Sequence, residues 1–487
     1  MTMPRTRKAI KHILTCACAI AALASCKPPA LLQKTESEAT PASYTNASTA
    51  TDNTVTEKTA KLGVRQFFAD SNLSALIDSA LSKNQELKIT TQEIEIARNE
   101  IRARKGAYLP FVGLQAGVGA DKPGRYTFRG ATEANTNIKG TRKIPDPLTD
   151  FMGGAFASWE VDIWRKLRNA KKAAAIRYQA TTEGRKFMVT NLVAEIAHNY
   201  YELLALDNQM QILRENIEIQ SNALLIVRLQ KDAARTTELA VRRFEAHVLN
   251  TQNKQYAIQQ RIIETENRIN FLLGRFPQPI VRDKQLFNTL SPTAVSTGLP
   301  SQLLENRPDV LRAKQELIAA KVDVKVAAAN FYPSLNITAV AGLNAFNPGL
   351  FFSAPESILY SIAGGLAGPL VNKNAIKAEY YSANARQTQA VTNYERTLLN
   401  AYIEVANQIS NIQNLDGSYT TKAKEVDVLI QSITISNNLF RSARADYMEV
   451  LLTQRDALES RFELVDTKLQ QLNAVVSIYR ALGGGWR

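Results

Sequence analysis

The sequence predicts a membrane protein of the α+β class, in which long coiled-coil helices are combined with a few membrane-spanning β-strands. Apolar residues recur at alternating steps of three and four over long stretches, as in coiled coils. Four short segments instead alternate apolar with small or polar residues, as transmembrane β-strands do. These elements occur in the same order twice along the 487 residues, so we expect an internally duplicated chain.

The first 25 residues have the organisation of a bacterial export signal. A basic stretch at 5–11 precedes an apolar stretch at 13–24, which is too short to span a bilayer of about 30 Å. The sequence Leu23-Ala24-Ser25-Cys26 resembles a lipobox, so we predict cleavage before Cys26 and acylation of its sulfur. All three cysteines lie at or before Cys26, so the mature chain keeps no thiol that could mis-pair in an oxidising periplasm. The alternative is a signal peptide with an incidental cysteine at its end.

Residues 26–61 are rich in Ser, Thr and Ala and show no apolar period. This composition predicts a flexible tether between the lipidated Cys26 and the folded part of the chain.

Coiled-coil periodicity dominates the rest of the chain. Apolar positions between Val241 and Leu272 follow one 3-4 seam, with polar intrusions. No proline occurs between about 165 and 233, where a continuous helix would measure about 100 Å. A compact soluble domain has no need of so long a helix.

The four alternating segments lie near residues 109–120, 150–163, 333–345 and 358–370. Edge strands of a soluble sheet would show a similar pattern, so each segment alone leaves that alternative open. The polar segment 121–147, punctuated by Gly and Pro, is predicted to be an extended surface loop between the first two strands.

Two copies of one unit account for this order. The triplet "YLP" at 108–110 corresponds to "FYP" at 331–333, and "ARTTELAV" at 234–241 corresponds to "ARADYMEV" at 443–450. We place the repeats at 62–275 and 306–487, with helical hairpin tips near 233–239 and 443–448.

Four strands are too few to close a membrane barrel, because small closed barrels need about eight. An open sheet edge in lipid leaves backbone groups unpaired at several kcal/mol each. If the strands span a membrane, the barrel must therefore be shared between chains. Three chains would give twelve strands, and the helices would continue the wall on the periplasmic side as a tube of coiled-coil pairs. A structural or adhesive coiled-coil lipoprotein without a pore is the alternative, but it has no need of four such strands in duplicated positions.

Catalytic motifs are missing from the sequence. His12 lies in the signal peptide, whereas His198 and His247 lie within heptad helices and are interpreted as ordinary helix residues. No HExxH, CxxC or P-loop pattern occurs. We predict that the protein is not an enzyme and uses no metal or cofactor.

The formal net charge is +14, which fits either solvated helix faces or contact with anionic lipid. The export signal makes nucleic acid an unlikely partner. A basic cluster directly follows the second strand, and it is either a contact with lipid headgroups or a solvated helix end. The cluster comprises Arg165, Lys166, Arg168, Lys171 and Lys172.

Four segments carry a resemblance to a known family: "FFADSNLSALIDSALSKNQELK" at 67–88, "ASWEVDIWRKLRNA" at 157–170, the most specific stretch at 298–338, and "YRALGGGW" at 479–486. The chain resembles the TolC-like outer membrane factors, specifically the lipoprotein (NodT) subgroup that serves resistance-nodulation-division (RND) pumps. The resemblance implies a trimeric channel in the Gram-negative outer membrane that extends into the periplasm. Its equatorial region would include a linker at 276–305.

The resemblance also implies a function. The channel would passively export drugs and other small molecules, be opened by a periplasmic adaptor protein and be driven by an inner-membrane RND pump. A type I secretion channel for proteins is the alternative within this family.

Members of the family close at the helical hairpins, where acidic side chains of the second hairpin form a ring. Glu449 matches the first acidic position, and a ring of its carboxylates would repel itself and favour cations. Leu452 stands at the second acidic position, and the alternative is that Leu452 or Met448 supplies an apolar constriction instead. The alternative for Glu449 is an ordinary solvated helix residue. The hairpin tips would contact the adaptor through Arg235, Thr236, Thr237, Arg444, Ala445 and Asp446.

Overall fold

The computed structural model describes residues 28–31, 34–35, 41, 43–44, 62–290, 300–442 and 444–486. The predicted signal peptide, Cys26 and most of the predicted tether lie outside these residues. The chain forms two compact units. The strand unit comprises Glu95–Gln179 and Gln315–Thr392 with the described N-terminal residues up to Thr35. The helical unit comprises the described residues of Glu36–Ile94, together with Ala180–Lys314 and Asn393–Arg487.

Helices make up most of the described chain, and the two longest contain 67 and 68 residues. The first of these confirms the continuous helix predicted from the absence of proline. The α-helices are α1 Val64–Phe67, α2 Ser71–Lys83, α3 Gln85–Tyr108, α4 Phe128–Asn135, α5 Lys166–Asp232, α6 Glu238–Leu272, α7 Leu286–Thr289, α8 Leu303–Asn306, α9 Pro308–Ala329, α10 Asn374–Arg441 and α11 Tyr447–Ala481.

Within the described ranges, no helix combines the length and apolar character needed to cross a membrane.

The strand unit contains one four-stranded antiparallel sheet in the order β1-β4-β5-β6. Its strands are β1 Phe111–Asp121, β4 Leu148–Val161, β5 Ser334–Ala345 and β6 Ile358–Ala367. The two strands of each repeat pair as a hairpin, and β4 pairs with β5 across the repeats. The sheet therefore has two edges, β1 and β6.

The register gives the sheet one face that is almost wholly apolar across all four strands, whereas the other face mixes polar residues with apolar ones such as Phe156 and Val340. The opposite face carries Gln115, Ser158, Thr338 and Ser361 among its polar residues. Apart from Thr149 at the start of β4, the apolar face is made of aliphatic, aromatic and glycine residues, which confirms the alternation within each strand. Its members are Val112, Leu114, Ala116, Val118, Ala120, Phe151, Gly153, Ala155, Ala157, Trp159, Val161, Leu335, Ile337, Ala339, Ala341, Leu343, Ala345, Ile358, Tyr360, Ile362, Gly364 and Leu366.

Segment 121–147 differs from the predicted extended loop, because it contains α4 and a small hairpin of β2 Asn137–Lys139 and β3 Arg142–Lys143. Thr127 caps α4, since its hydroxyl accepts the Gly130 amide at 3.2 Å. Such a two-turn helix is too short for its periodicity to be recognised in sequence.

Strand β4 ends at Val161, and the next residue, Asp162, binds the first turn of α5. Its carboxylate, 2% exposed, accepts the backbone amides of Leu167 and Arg168, both at 2.9 Å. Asp162 also accepts a hydrogen bond from the Arg168 guanidinium. It thus satisfies two backbone amides that have no partner within α5 and pairs with one positive charge at the helix start. Asp162 was predicted only as a strand residue.

The predicted coiled-coil seam of α6 is confirmed by burial of its positions, among them Phe244, Ile258 and Ile269. In the same unit, α1 and α2 join one core cluster with the chain end of α11. The Tyr479 ring stacks on Phe67 with centroids 3.9 Å apart.

Parts of the predicted tether pack against the protein. In the strand unit, Leu31 lies on a cluster that includes Phe331 and Tyr380. In the helical unit, Tyr44 stacks on Tyr402 with centroids 5.3 Å apart. These residues therefore do not behave as the free tether that their composition predicts. A few aromatic and aliphatic contacts are enough to hold a segment that has no period of its own.

Candidate functional site at the helical hairpins

The first hairpin tip is closed by a turn without glycine. After α5 ends, Ala234 adopts a left-handed conformation with φ 54°. Its amide donates to the Lys231 carbonyl at 2.9 Å, and the Arg235 amide donates to the Gln230 carbonyl at 2.8 Å. This pair of bonds is the Schellman arrangement, which glycine usually serves. Alanine tolerates it at a cost of about 1–2 kcal/mol.

Helix α6 begins directly after this turn with a side-chain cap. The Thr237 hydroxyl accepts the Ala240 amide at 3.3 Å. Thr236 is half-buried, whereas Arg235 is exposed. Of the three tip residues predicted here, Thr237 thus caps α6, whereas Arg235 presents its side chain to solvent.

The second hairpin shares one hydrogen bond of this turn but lacks the cap. The Arg444 amide donates to the Leu439 carbonyl at 2.9 Å. Asp446 precedes α11, yet its side chain makes no capping bond. Arg444 and Asp446 are exposed and Ala445 is half-buried, so two charged side chains of opposite sign lie at this tip.

One apolar cluster joins the two hairpins. Val227 on α5 and Phe244 on α6 pack with Val450 on α11, and Phe440 and Tyr447 of the second hairpin lie against them. Phe244 and Val450 are each 1% exposed. The sequence predicted only Phe244 among them as part of a coiled-coil seam, and only the structure brings these residues together.

The three predicted gate residues are not equivalent. Glu449 is exposed, in the first turn of α11. Leu452, 42% exposed, lies three residues on and thus on the same helix side. Met448 is half-buried, and its sulfur lies 2.9 Å from Nη1 of Arg243 on α6. The structure therefore pairs Glu449 with Leu452 and assigns Met448 to the contact between the hairpins.

The first hairpin also carries a ladder of ion pairs that the sequence analysis missed. Lys231 of α5 reaches Glu238 of α6 at 3.3 Å, and Arg228 reaches Glu245 at 3.5 Å. Arg242 bridges Glu238 and Glu245 along α6 at 2.9 and 3.1 Å. The hydrogen bond from Lys231 is the main cause that lowers the pKa of the Glu238 carboxyl.

A groove lies between the helices of the second hairpin. It has a volume of about 520 Å³ and is lined by Lys424, Glu425, Val428, Leu429, Asp456 and Ser460. Because its lining mixes aliphatic and charged residues, the groove suits contact with a protein surface rather than with a small apolar ligand.

His198 and His247, the two histidines that the structure describes, lie within α5 and α6. The His198 Nδ1–H donates to Oδ1 of Asn473 at 2.8 Å, and burial lowers the pKa of its imidazole. No group of three His, Cys, Asp or Glu side chains within the described ranges is arranged to bind a metal.

A sheet with one apolar face and two unpaired edges, connected to paired helical hairpins, defines a subunit of a membrane channel. The family model for outer membrane efflux proteins matches residues 76–275 and 299–484. This chain therefore belongs to the outer membrane efflux protein family, which confirms the predicted resemblance at the level of the family.

Relatives of similar length support the same assignment. The pyoverdine export outer membrane protein OpmQ of Pseudomonas aeruginosa is 26% identical over 420 residues, which is 86% of each chain. The cation efflux system protein CusC of Escherichia coli K12 is 26% identical over 423 residues, 87% of this chain and 89% of the relative. The probable outer membrane lipoprotein SilC of Salmonella typhimurium is 25% identical over 427 residues, 87% and 88% of the two chains.

Solved structures share the fold. A crystal structure of CusC has a TM-score of 0.79 at 24% identity and covers 94% of this chain and 99% of its own. The open state of the Neisseria gonorrhoeae MtrE outer membrane channel has a TM-score of 0.80 at 21% identity, with coverages of 94% and 98%. The predicted fold class and efflux function are confirmed, and these relatives are named as export and channel proteins rather than as enzymes.

Proposed function

We propose that three copies of this chain form an outer-membrane duct through which small molecules leave the cell, opened by a periplasmic adaptor and driven by an inner-membrane RND pump. The observation that carries the proposal is the sheet with edges β1 and β6. Strand directions alternate from β1 to β6, so β6 of one copy and β1 of the next meet antiparallel. Every edge is then paired, as lipid requires.

The number of copies follows from barrel size. Two copies would give eight strands, whose interior side chains nearly fill. Three copies give twelve strands and leave a lumen. The apolar face would contact lipid, and the face with Gln115, Ser158 and Thr338 would line the duct.

The gate is assigned to the second hairpin. Three copies of Glu449 would form an acidic ring that favours cations, and Leu452 would form an apolar ring beside it. The adaptor would bind at the exposed Arg235, Arg444 and Asp446 and in the groove between α10 and α11. Acylation of Cys26 would hold the chain in the outer membrane, in keeping with the name of the relative SilC.

Substrate choice is assigned to the partners rather than to this duct. Relatives that are equally similar to this chain, each 26% identical, are named for pyoverdine export, cation efflux and toluene efflux. Such different cargoes pass through similar chains, so the duct itself discriminates weakly. The drug or other small molecule exported here is then selected by the inner-membrane pump.

Planar bilayers test the proposal directly. The mature acylated protein should be trimeric and conduct, with cations preferred over anions. Replacing Glu449 by Ala should lower the cation preference, whereas Glu459→Ala, an exposed glutamate further along α11, should not. A monomeric preparation that carries no current would overturn the proposal.

A further inference from the structure

The basic cluster after β4 divides into two groups in the structure. Lys166 pairs with Glu160, and Arg168 pairs with the buried Asp162, so both belong to the helix start. Arg165 and Lys172 remain exposed. The region therefore keeps a net positive charge after its own carboxylates, Glu160 and Asp162, are paired.

The same design recurs at the other strand-to-helix junction. Ile163 and Trp164 are exposed and precede Arg165, whose φ is 59°. Leu370 and Val371, 68% and 87% exposed, precede Asn372, whose φ is 55°. Each left-handed residue turns the chain from the sheet into a long helix with a basic side chain in its first turn, Lys166 in α5 and Lys377 in α10. An internally duplicated pair of exposed apolar dipeptides is unusual for a surface that meets only water.

The register puts these junctions at one end of the sheet. Val161 pairs with Leu335, and Ala367 pairs with Ser334, so β4 and β6 end where β5 begins. Helix α3 ends beside the start of β1 at this same end. Exposed lysines follow on three different helices: Lys105 on α3, Lys172 on α5 and Lys377 on α10. We call these lysines, together with Arg165, Ile163, Trp164, Leu370 and Val371, the junction surface.

Trp164 is held rigidly within this surface. Its ring stacks on Tyr332 with centroids 4.6 Å apart, and its Nε1–H donates to the Pro333 carbonyl at 2.7 Å. An aromatic ring with a satisfied polar edge suits the boundary between hydrocarbon and water.

The N-terminal residue Leu31 lies near the same end of the sheet. Leu31 packs on the cluster of Phe331 and Tyr380, which lies directly before β5 and in the first turns of α10. Leu31 follows Cys26 by five residues, which span at most about 17 Å. An acyl chain on Cys26 would therefore enter the membrane beside the junction surface.

We propose that the junction surface binds anionic phospholipid of the periplasmic leaflet. The exposed apolar dipeptides enter the acyl boundary, and the lysines meet the headgroup phosphates. The inference rests on the proposed function, because it takes the sheet to span the outer membrane. It extends that function by fixing the depth of the duct and giving it a lipid preference at its periplasmic rim.

Trp164 provides the readout. In a Trp159→Phe, Trp486→Phe background, Trp164 is the only tryptophan of the mature acylated protein. The protein is placed in phosphatidylcholine vesicles that contain either brominated phosphatidylcholine or brominated phosphatidylglycerol. Quenching of Trp164 fluorescence by each brominated lipid gives the relative constants with which the two lipids bind beside Trp164. The preference for phosphatidylglycerol should be at least about fivefold, because a single lysine near an anionic surface contributes that factor and the junction surface holds three. It should decrease in 0.5 M salt, about the concentration at which surface charges are largely screened.

The triple variant Lys105→Gln, Lys172→Gln, Lys377→Gln should lower this ratio to about one. A matched control, Lys83→Gln, Lys88→Gln, Arg214→Gln, removes the same charge from exposed helix positions outside the surface and should keep the preference. Both variants should conduct in planar bilayers. The inference is overturned if the protein with all its lysines binds the two lipids equally, or if the triple variant keeps the full preference for phosphatidylglycerol. Either result would leave the proposed duct intact. Absence of quenching by either lipid would show that a second copy covers Trp164, which also overturns it. Loss of conductance in all forms would instead refute the proposed function.

Discussion

The two helical hairpins are copies of one unit, but they are stabilised differently. The first is locked at its tip by the Thr237 cap and by ion pairs from Lys231 and Arg228 to α6. In the second, no ion pair joins α10 to α11 within the described residues 428–459, and Lys422–Glu463 is the first one met beyond them. Asp446 adds no side-chain cap.

This difference fits the proposal that the gate lies in the second hairpin. The second hairpin depends at its tip on packing of Val450 against the first hairpin, and it carries the exposed Glu449. A segment with few local bonds has a low cost of local opening. The first hairpin would then act as the fixed support against which the second moves.

The largest effect is expected from removing the apolar contact that the hairpins share. Phe244→Ala deletes a ring that is 1% exposed and should cost about 3–5 kcal/mol. Thermal unfolding and protease cleavage at both tips measure this loss. Leu239→Ala, at a position 57% exposed on the same helix, is the control and should change little. Equal effects of both substitutions would contradict the shared core.

A smaller effect should separate the two caps. Thr237→Ala removes the bond to the Ala240 amide and should cost about 1 kcal/mol. Asp446→Ala removes no such bond and should be nearly neutral. Hydrogen exchange of the first turns of α6 and α11 reports each cap separately. Faster exchange in α11 than in α6 after the respective substitutions would reverse the comparison.

The smallest effect concerns the exposed ion pairs of the first hairpin. Lys231 lowers the pKa of the Glu238 carboxyl in the folded protein. The ionised carboxyl therefore stabilises the hairpin tip at pH values above 4.5, its ordinary pKa, and this contribution is lost as the pH falls through the lowered pKa. The protection factor of amides at the α5–α6 tip, which is corrected for the slower intrinsic exchange in acid, should therefore fall in acid. Glu238→Gln should remove this pH dependence, as should 1 M salt. An unchanged pH profile in Glu238→Gln would assign the effect to another group.

Much of the fold could be predicted because its signals are local. The seam through Phe244 and Ile258 and the alternation in Val112–Val118 each repeat within one element, so a single sequence displays them. The capping carboxylate of Asp162 and the short helix α4 escaped prediction because each depends on a few atoms with no period.

The amino-acid sequence by itself determined the duplication, the long helices, the four strands and the apolar face of each, since burial and backbone hydrogen bonding impose fixed periods on neighbouring residues. Only the tertiary structure decided that Val450 packs on Phe244, that Lys231 and Arg228 reach across to α6, that Leu31 rests on Phe331, and that the two strand-to-helix junctions lie at one end of the sheet. Those contacts depend on how helices and strands distant in the chain are aligned, and no local repeat encodes that alignment.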